Sequence, residues 1–157
     1  MAYNHFTATG IVFNLDDTIL MIYHRQLKVW LPPGGHIEEN ELPDDAVLRE
    51  ILEETGVVAK IVSNKRMLCL SNDNNCRELE LPFTILLEDI ENDGKHNHID
   101  MVYVCLAINN ELKPNKTEVD GIGWFTFDEI NYMKTYSNVK EAIFKAIEYM
   151  KEINSKV

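Results

Sequence analysis

The segment Gly35-His-Ile-Glu-Glu-Asn-Glu41-Leu-Pro43-Asp-Asp-Ala-Val-Leu-Arg49-Glu50-Ile-Leu-Glu53-Glu54-Thr-Gly56-Val57 decides how this chain is read. It is an acidic loop followed by one helix. Pro43 suits the first helical position, where a missing N–H costs nothing. Asp44 and Asp45 complement the positive end of the helix dipole, and Gly56 sits where a left-handed residue closes a helix. Ala46, Val47, Leu48, Ile51 and Leu52 supply the apolar side. Glu50, Glu53 and Glu54 fall at i, i+3 and i+4, so at about 100° per residue they share one face. Like charges at that spacing weaken a helix. A hard divalent cation held by oxygen ligands is the simplest compensation, although acid spacing by itself is common and better describes a solvated acidic helix with an ordinary ion pair. Arg49 lies within reach of Glu53 and of Glu41, and its planar fork suits a carboxylate bidentately, which gives it an orienting role.

The complete pattern is far more specific than its helix. A glycine, five residues, Glu, seven residues, Arg-Glu, an aliphatic, any residue, Glu-Glu, any residue, a glycine and an aliphatic resembles the signature of the Nudix hydrolases. Gly35, Glu41, Arg49, Glu50, Ile51, Glu53, Glu54, Gly56 and Val57 fill every specified position, and the motif covers 23 of 157 residues. The flanks are also similar to that family: an N-terminal strand pair, Trp30-Leu-Pro-Pro-Gly-Gly35 before the motif, and Gly123-Trp-Phe before a short helix.

The resemblance implies a Nudix-type α/β/α sandwich with a mixed central β-sheet, one catalytic helix and a C-terminal helix, as a single domain over residues 1–157. It also implies a metal-dependent pyrophosphohydrolase. Such an enzyme cleaves the diphosphate linkage of a nucleoside diphosphate derivative, a nucleoside triphosphate or an ADP-ribose-like compound, with Mg2+ or Mn2+ present. A pyrophosphate repels both hydroxide and an acidic protein, and metal ions neutralise that charge and acidify water. Positioning and electrostatics do most of the remaining work. Glu50, Glu53 and Glu54 match the family's metal-binding carboxylates, one of which could double as general base. A main-chain carbonyl at Gly34 or Gly35 would complete the inner shell, since glycine lets backbone approach an ion closely. Glu41 and Arg49 match the pair that braces loop to helix, joining Glu50 and Glu53 in the catalytic set. Glu38 and Glu39 fit a solvated loop as well as a site.

Composition agrees. The chain is long enough for one domain with a real core, and its 45% apolar and 26% charged residues are those of an ordinary globular protein. A net charge of −11 argues against binding nucleic acid or an acidic membrane. Cys69, Cys76 and Cys105 are odd in number and lack zinc spacing, so free thiols are expected. There is no membrane-span or signal-peptide pattern. The expected compartment is the cytoplasm, the expected partner a small nucleotide, and the default assembly a homodimer.

Periodicity outlines an α/β sandwich. Strands are expected at 6–14, 18–23, 28–31, 57–63, 67–70, 81–87, 100–108 and 121–127, with a hairpin turn at Leu15-Asp16-Asp17. Polar loops are expected at 71–77 and 91–98. Thr126-Phe-Asp-Glu129 has the form of a capping box. Ser137 caps a last helix whose Val139, Ala142, Ile143, Ala146, Ile147, Met150 and Ile153 form a core-facing stripe.

Candidate substrate-facing residues lie outside the motif. His96, His98 and Asp100 alternate in period two and so share a strand face, which either lines a cleft or meets solvent. A His-X-His pair is also a transition-metal ligand pattern, but the sequence supplies no third ligand beside it. Glu118 or Asp120, before Gly123-Trp-Phe, fits the extra acid that family members place on a late loop. His24, Arg25 and Lys28 could meet an anion. Trp30 and Trp124 suit core packing better than stacking on a base. Two rivals stand against a hydrolase. A non-catalytic nucleotide-sensing module predicts decay of the acidic helix, whereas the carboxylates here are complete. The isoprenoid-diphosphate isomerase branch of the fold wants a reactive cysteine, whereas Cys69 and Cys105 read as buried strand residues.

Overall fold

The β-prone run Tyr3–Phe13 makes β1, exposed at its first four residues and buried over most of the rest, the strand around which the others are arranged. A computed structural model describes residues 3–64, 76–90 and 94–155; the expected strand at 67–70, and parts of the loops expected at 71–77 and 91–98, lie outside them. The order is β1, β2 (Ile19–His24), β3 (Trp30–Leu31), β4 (Gly34–His36), α1 (Pro43–Thr55), β5 (Ala59–Ile61), β6 (Thr84–Asp89), β7 (His96–Ala107), β8 (Val119–Phe125), α2 (Phe127–Tyr132) and α3 (Ser137–Ser155). β1 runs parallel to β7, in register from Tyr3 opposite His96 to Phe13 opposite Leu106. Along its other edge β1 pairs antiparallel with β4 and, at its far end, with β2. β2 carries β3 and β8, and β7 carries β5 and β6, which completes an eight-stranded mixed sheet.

The two faces of β1 separate two cores. Ala8 and Val12 meet Ala46, Val47 and Ile51 of α1 on one side. Ile11 and Phe13 meet Ile130 of α2 and Ile143 and Ala146 of α3 on the other. The result is the expected α/β/α sandwich. α1 approaches closely because residue 10 is glycine: a Cβ there would stand 2.6 Å from Ile51 Cδ1. The helix begins at Pro43 without a side-chain cap and ends at Gly56, left-handed at φ 74°, whose N–H bonds to the Leu52 carbonyl. Leu52 itself departs from its expected place on the apolar side. It is 49% exposed, because one step of about 100° beyond Ile51 carries it off the packed face. In the β1–β2 turn the Asn14 side chain accepts the N–H groups of Asp16 and Thr18. The Thr126–Glu129 capping box is present, and Val139, Ala142, Ile147 and Met150 flank the buried stripe of α3.

Pairing extended some elements beyond their local signals. β4 is a glycine-rich strand that propensity does not suggest. It exists because Thr7, Ala8 and Thr9 pair with His36, Gly35 and Gly34, at an approach so close that a Cβ on Gly34 would lie 2.6 Å from the Ala8 carbonyl oxygen. β7 begins at His96, inside the expected polar loop, because Tyr3, Asn4 and His5 of β1 pair with it there. Cys105 is a buried free thiol, but Cys76 is disulfide-bonded, which corrects the expectation of free thiols throughout. Among the described residues no helix is long and apolar enough to cross a membrane.

Candidate active site

The acidic face of α1 meets the sheet at the β4 edge, and Arg49 joins them. Its Nε and Nη2 donate to the two oxygens of Glu41 at 2.7 and 2.9 Å, a bidentate pair. Nη1 donates to Glu50 at 2.8 Å and to Glu53 at 3.0 Å. Nη2 also reaches the His36 carbonyl oxygen at 3.1 Å, so one guanidinium ties loop, helix and β4 together. Arg49 holds the Glu41 carboxyl below the usual carboxylate range, and Glu41 in turn raises the guanidinium.

Glu54 and Glu50 converge on the two glycines. The Glu54 carboxylate is 4% exposed and accepts the Gly34 N–H at 3.0 Å. Burial pushes its pKa up to about 8; the Gly34 bond opposes this, and the nearby charges of Glu50 and Glu118 add to it. Burial also raises Glu50, against the pull of Arg49, with Glu53 and Glu118 adding. A Cβ on Gly35 would fall 2.5 Å from Glu50 Oε1, so only glycine leaves room for main chain beside that carboxylate. Glu53 is different: its side chain is 55% exposed and leans on Arg49. Carboxylates whose charged forms burial disfavours, beside a cradle that a Cβ would fill, are a donor set that fits a hard divalent ion.

On the other face of the sheet, a cleft of about 610 Å³ runs between β1, β7, β6 and α3. Gly34 and Gly35 line it too, so β4 is the rim shared by cleft and acidic cluster. Asp100 lies in its floor, 5% exposed, accepting the hydroxyls of Thr7 and Thr9 at 2.9 and 3.0 Å. Burial raises its carboxyl despite those bonds. His98, His36, His24 and Glu88 also line the cleft. Burial raises Glu88, with Asp100 adding, while Asn138 of α3 holds one of its oxygens.

The structure therefore groups Glu41, Arg49, Glu50, Glu54 and Gly35, with Glu118 within electrostatic reach and Glu53 at the outer edge. His98 and Asp100 sit in the cleft. Arg25 does not. It bonds Asp120 at 2.7 Å, as does Lys28 at 2.8 Å, and lines a separate cavity of about 270 Å³ beside Pro114 and Lys116. Trp30 packs between Tyr23 and Phe125, and Trp124 lies against the α1-side core. Thr7, Thr9, Glu88, His5 and His36 were missed from sequence. Of these, His5, Thr7 and Thr9 carried a legible signal, the period-two run of polar residues on β1.

A family model described as NUDIX domain matches residues 4–146. A crystal structure of a hydrolase of the NUDIX family from Clostridium perfringens is 30% identical, with TM-score 0.82, covering 93% of this chain and 97% of that one. A "Probable DHNTP pyrophosphohydrolase" of Lactococcus lactis subsp. cremoris is 32% identical over 122 residues, 78% of this chain and 63% of that protein. A "Putative 8-oxo-dGTP diphosphatase" of Bacillus subtilis is 39% identical over 51 residues, 32% of this chain and 34% of that protein. The chain thus spans less than two thirds of the length of these two curated relatives.

Proposed function

The chain belongs to the Nudix family, and from that premise we propose that it hydrolyses a phosphoanhydride bond in a nucleoside diphosphate derivative, releasing a nucleoside monophosphate. The observation that carries this reading is the convergence of Glu50 and Glu54 on Gly34 and Gly35, at a rim that also lines the cleft. Residues 1–157 act in it as one domain. Glu50, Glu53, Glu54 and the Gly35 main chain would hold Mg2+ or Mn2+. Such an ion, when bound, supplies charge neutralisation for the diphosphate and acidity for the attacking water.

The chain's own groups do the rest. The Gly34 N–H fixes one Glu54 oxygen, which turns the carboxyl toward the rim. Arg49 holds Glu50 in place and, through Glu41, keeps the loop before α1 from swinging away. A carboxylate at this rim, Glu53 being the most exposed, takes the proton from water as phosphorus is attacked. Thr7, Thr9 and Asp100 give the cleft floor a polar patch suited to ribose or base. Glu118, close enough to Glu50 and Glu54 to raise both, adds an acid from the loop before β8.

Among substrates, a nucleoside triphosphate stands first. The named activities of the relatives, on DHNTP and on 8-oxo-dGTP, point the same way, and an ADP-ribose-like compound is next. The test is a panel of nucleoside triphosphates, ADP-ribose, nucleotide sugars and dinucleoside polyphosphates, incubated with Mg2+ or Mn2+ and scored for monophosphate release. At least one member should turn over, and chelator should abolish turnover. No release from any member would overturn the reading in favour of a nucleotide-sensing module.

A further inference from the structure

Four of the chain's 5 histidines meet at one end of the cleft. His5 of β1 and His98 of β7 are register partners, and His96 is the next residue along the same face of β7. His36 of β4 enters from the opposite edge of β1, since it pairs with Thr7 two residues from His5. The rings stand 4.9 Å apart for His5 and His96, 5.2 Å for His96 and His98, and 5.0 Å for His36 and His98. One ring nitrogen from each of His5, His96 and His98 falls within 4.8 Å of the others. His5 Nδ1 and His36 Nε2 are 3.3 Å apart. Two imidazole nitrogens on one tetrahedral ion, at about 2.0–2.1 Å from it, stand about 3.3 Å from each other. His98 Nε2 is buried with no hydrogen-bond partner among the described residues, which a native structure seldom tolerates.

We propose that His5, His96 and His98, with His36 beside them, form a second metal site, specific for a borderline d-block divalent ion such as Zn2+ and separate from the carboxylate cluster on α1. The donor chemistry selects the metal: an all-imidazole set suits zinc and its neighbours, whereas Mg2+ wants oxygen. Imidazole must also be neutral to ligate. Because His36 and His98 line the cleft, the ion would place positive charge at its mouth. The His36 carbonyl already bonds Arg49, so the two sites share β4 without sharing a ligand.

The test uses the full chain stripped with chelator and then saturated with Mg2+. Zn2+ titrated calorimetrically should bind at one equivalent, and Co2+ in its place should give the visible absorption of a four-coordinate ion. His98→Ala should weaken uptake by about tenfold or more, since losing even a partner that only supports a ligand costs about that much. His5 is exposed, so His5→Gln should keep the melting temperature of the parent and still lose the cobalt bands. Glu53→Gln and Glu54→Gln should retain the full equivalent, which separates this site from the proposed hydrolysis. The proposal is overturned if Zn2+ does not bind in saturating Mg2+. It is overturned equally if uptake survives both histidine changes or is lost in the glutamate variants. Inorganic phosphate binding to the histidines in preference to Zn2+ would also overturn it.

Discussion

Glu54 carries two opposed demands in one side chain. Its carboxyl is raised from an ordinary value of 4.5 to about 8 by burial, so without a cation the folded chain resists ionising it. A raised carboxyl contributes stability that is complete below the unfolded value and is lost as pH climbs through the folded one. The metal-free protein should therefore melt progressively lower between about pH 4.5 and pH 8 on account of this group. Glu54→Gln keeps the shape and an oxygen for the Gly34 N–H, and removes the charge. Each unit of displacement is worth about 1.4 kcal/mol, and about 1 kcal/mol moves the melting point of a chain this size by about 2–4 °C. In chelator at alkaline pH, the variant should melt above the parent by about 5 °C or more. Added Mg2+ should close the gap by stabilising only the parent. The same change should lower turnover by about 10²-fold or more, the scale for losing an electrostatic catalytic group. A variant that melts no higher than the parent, or that keeps full activity, would remove Glu54 from the role given to it. Stability and function would then be uncoupled at this residue, contrary to the usual trade.

The elements closest to the chemistry divide into one that local sequence announces and one that it does not. α1 could be bounded from its own residues, because Pro43 and Gly56 mark its ends and Ala46, Val47 and Ile51 its packed face. β4 could not, since Gly34 and Gly35 have poor strand propensity and their pairing is decided by β1. The first residues of β7 were hidden for the same reason: polar in composition, they are strand because Tyr3, Asn4 and His5 pair with them. The two glycines of β4 nevertheless serve different ends, which a single methyl at each can separate. At Gly34 a Cβ would meet main chain, 2.6 Å from the Ala8 oxygen and 2.8 Å from Thr9 Cα, neither of which can step aside. Gly34→Ala should force β4 off β1 and cost about 1–3 kcal/mol of stability in a denaturant titration. At Gly35 the methyl would meet the Glu50 carboxylate, the movable end of a side chain. Gly35→Ala should unfold near the parent's midpoint while losing about tenfold or more in turnover, the scale expected for misplacing a catalytic group. Equal loss of stability in both variants would show that the Gly35 contact is structural and that Glu50 is not free to yield.

At the scale of the whole molecule, what could be read from sequence was contiguous and what could not was assembled by the sheet. The signature lies within 23 residues, so its carboxylates, arginine and glycines are visible on one line. The cleft floor is not: Thr7 and Asp100, bonded at 2.9 Å, are 93 positions apart. Parallel pairing of β1 with β7 brings them together, and no local pattern encodes that pairing. Arg25 shows the converse, since closeness to the motif in sequence places it at a separate cavity and not in the cleft. Charge is the property that does belong to the whole chain. At −11 the protein repels any anion at long range, so on the proposed function the attraction for a nucleotide has to come from ions bound at close quarters. Salt should therefore act in the opposite sense to a nucleic-acid binder, whose affinity falls as ions are added. Moving from about 0.01 to 0.1 M ionic strength shortens the screening length from about 30 to 10 Å, removing the distant repulsion and sparing contacts inside the cleft. With Mg2+ held saturating, KM for the preferred nucleotide should fall by roughly two- to fivefold over that range while kcat holds steady. A KM that rises instead would mean that a local positive field, and not the net charge, governs the approach of substrate.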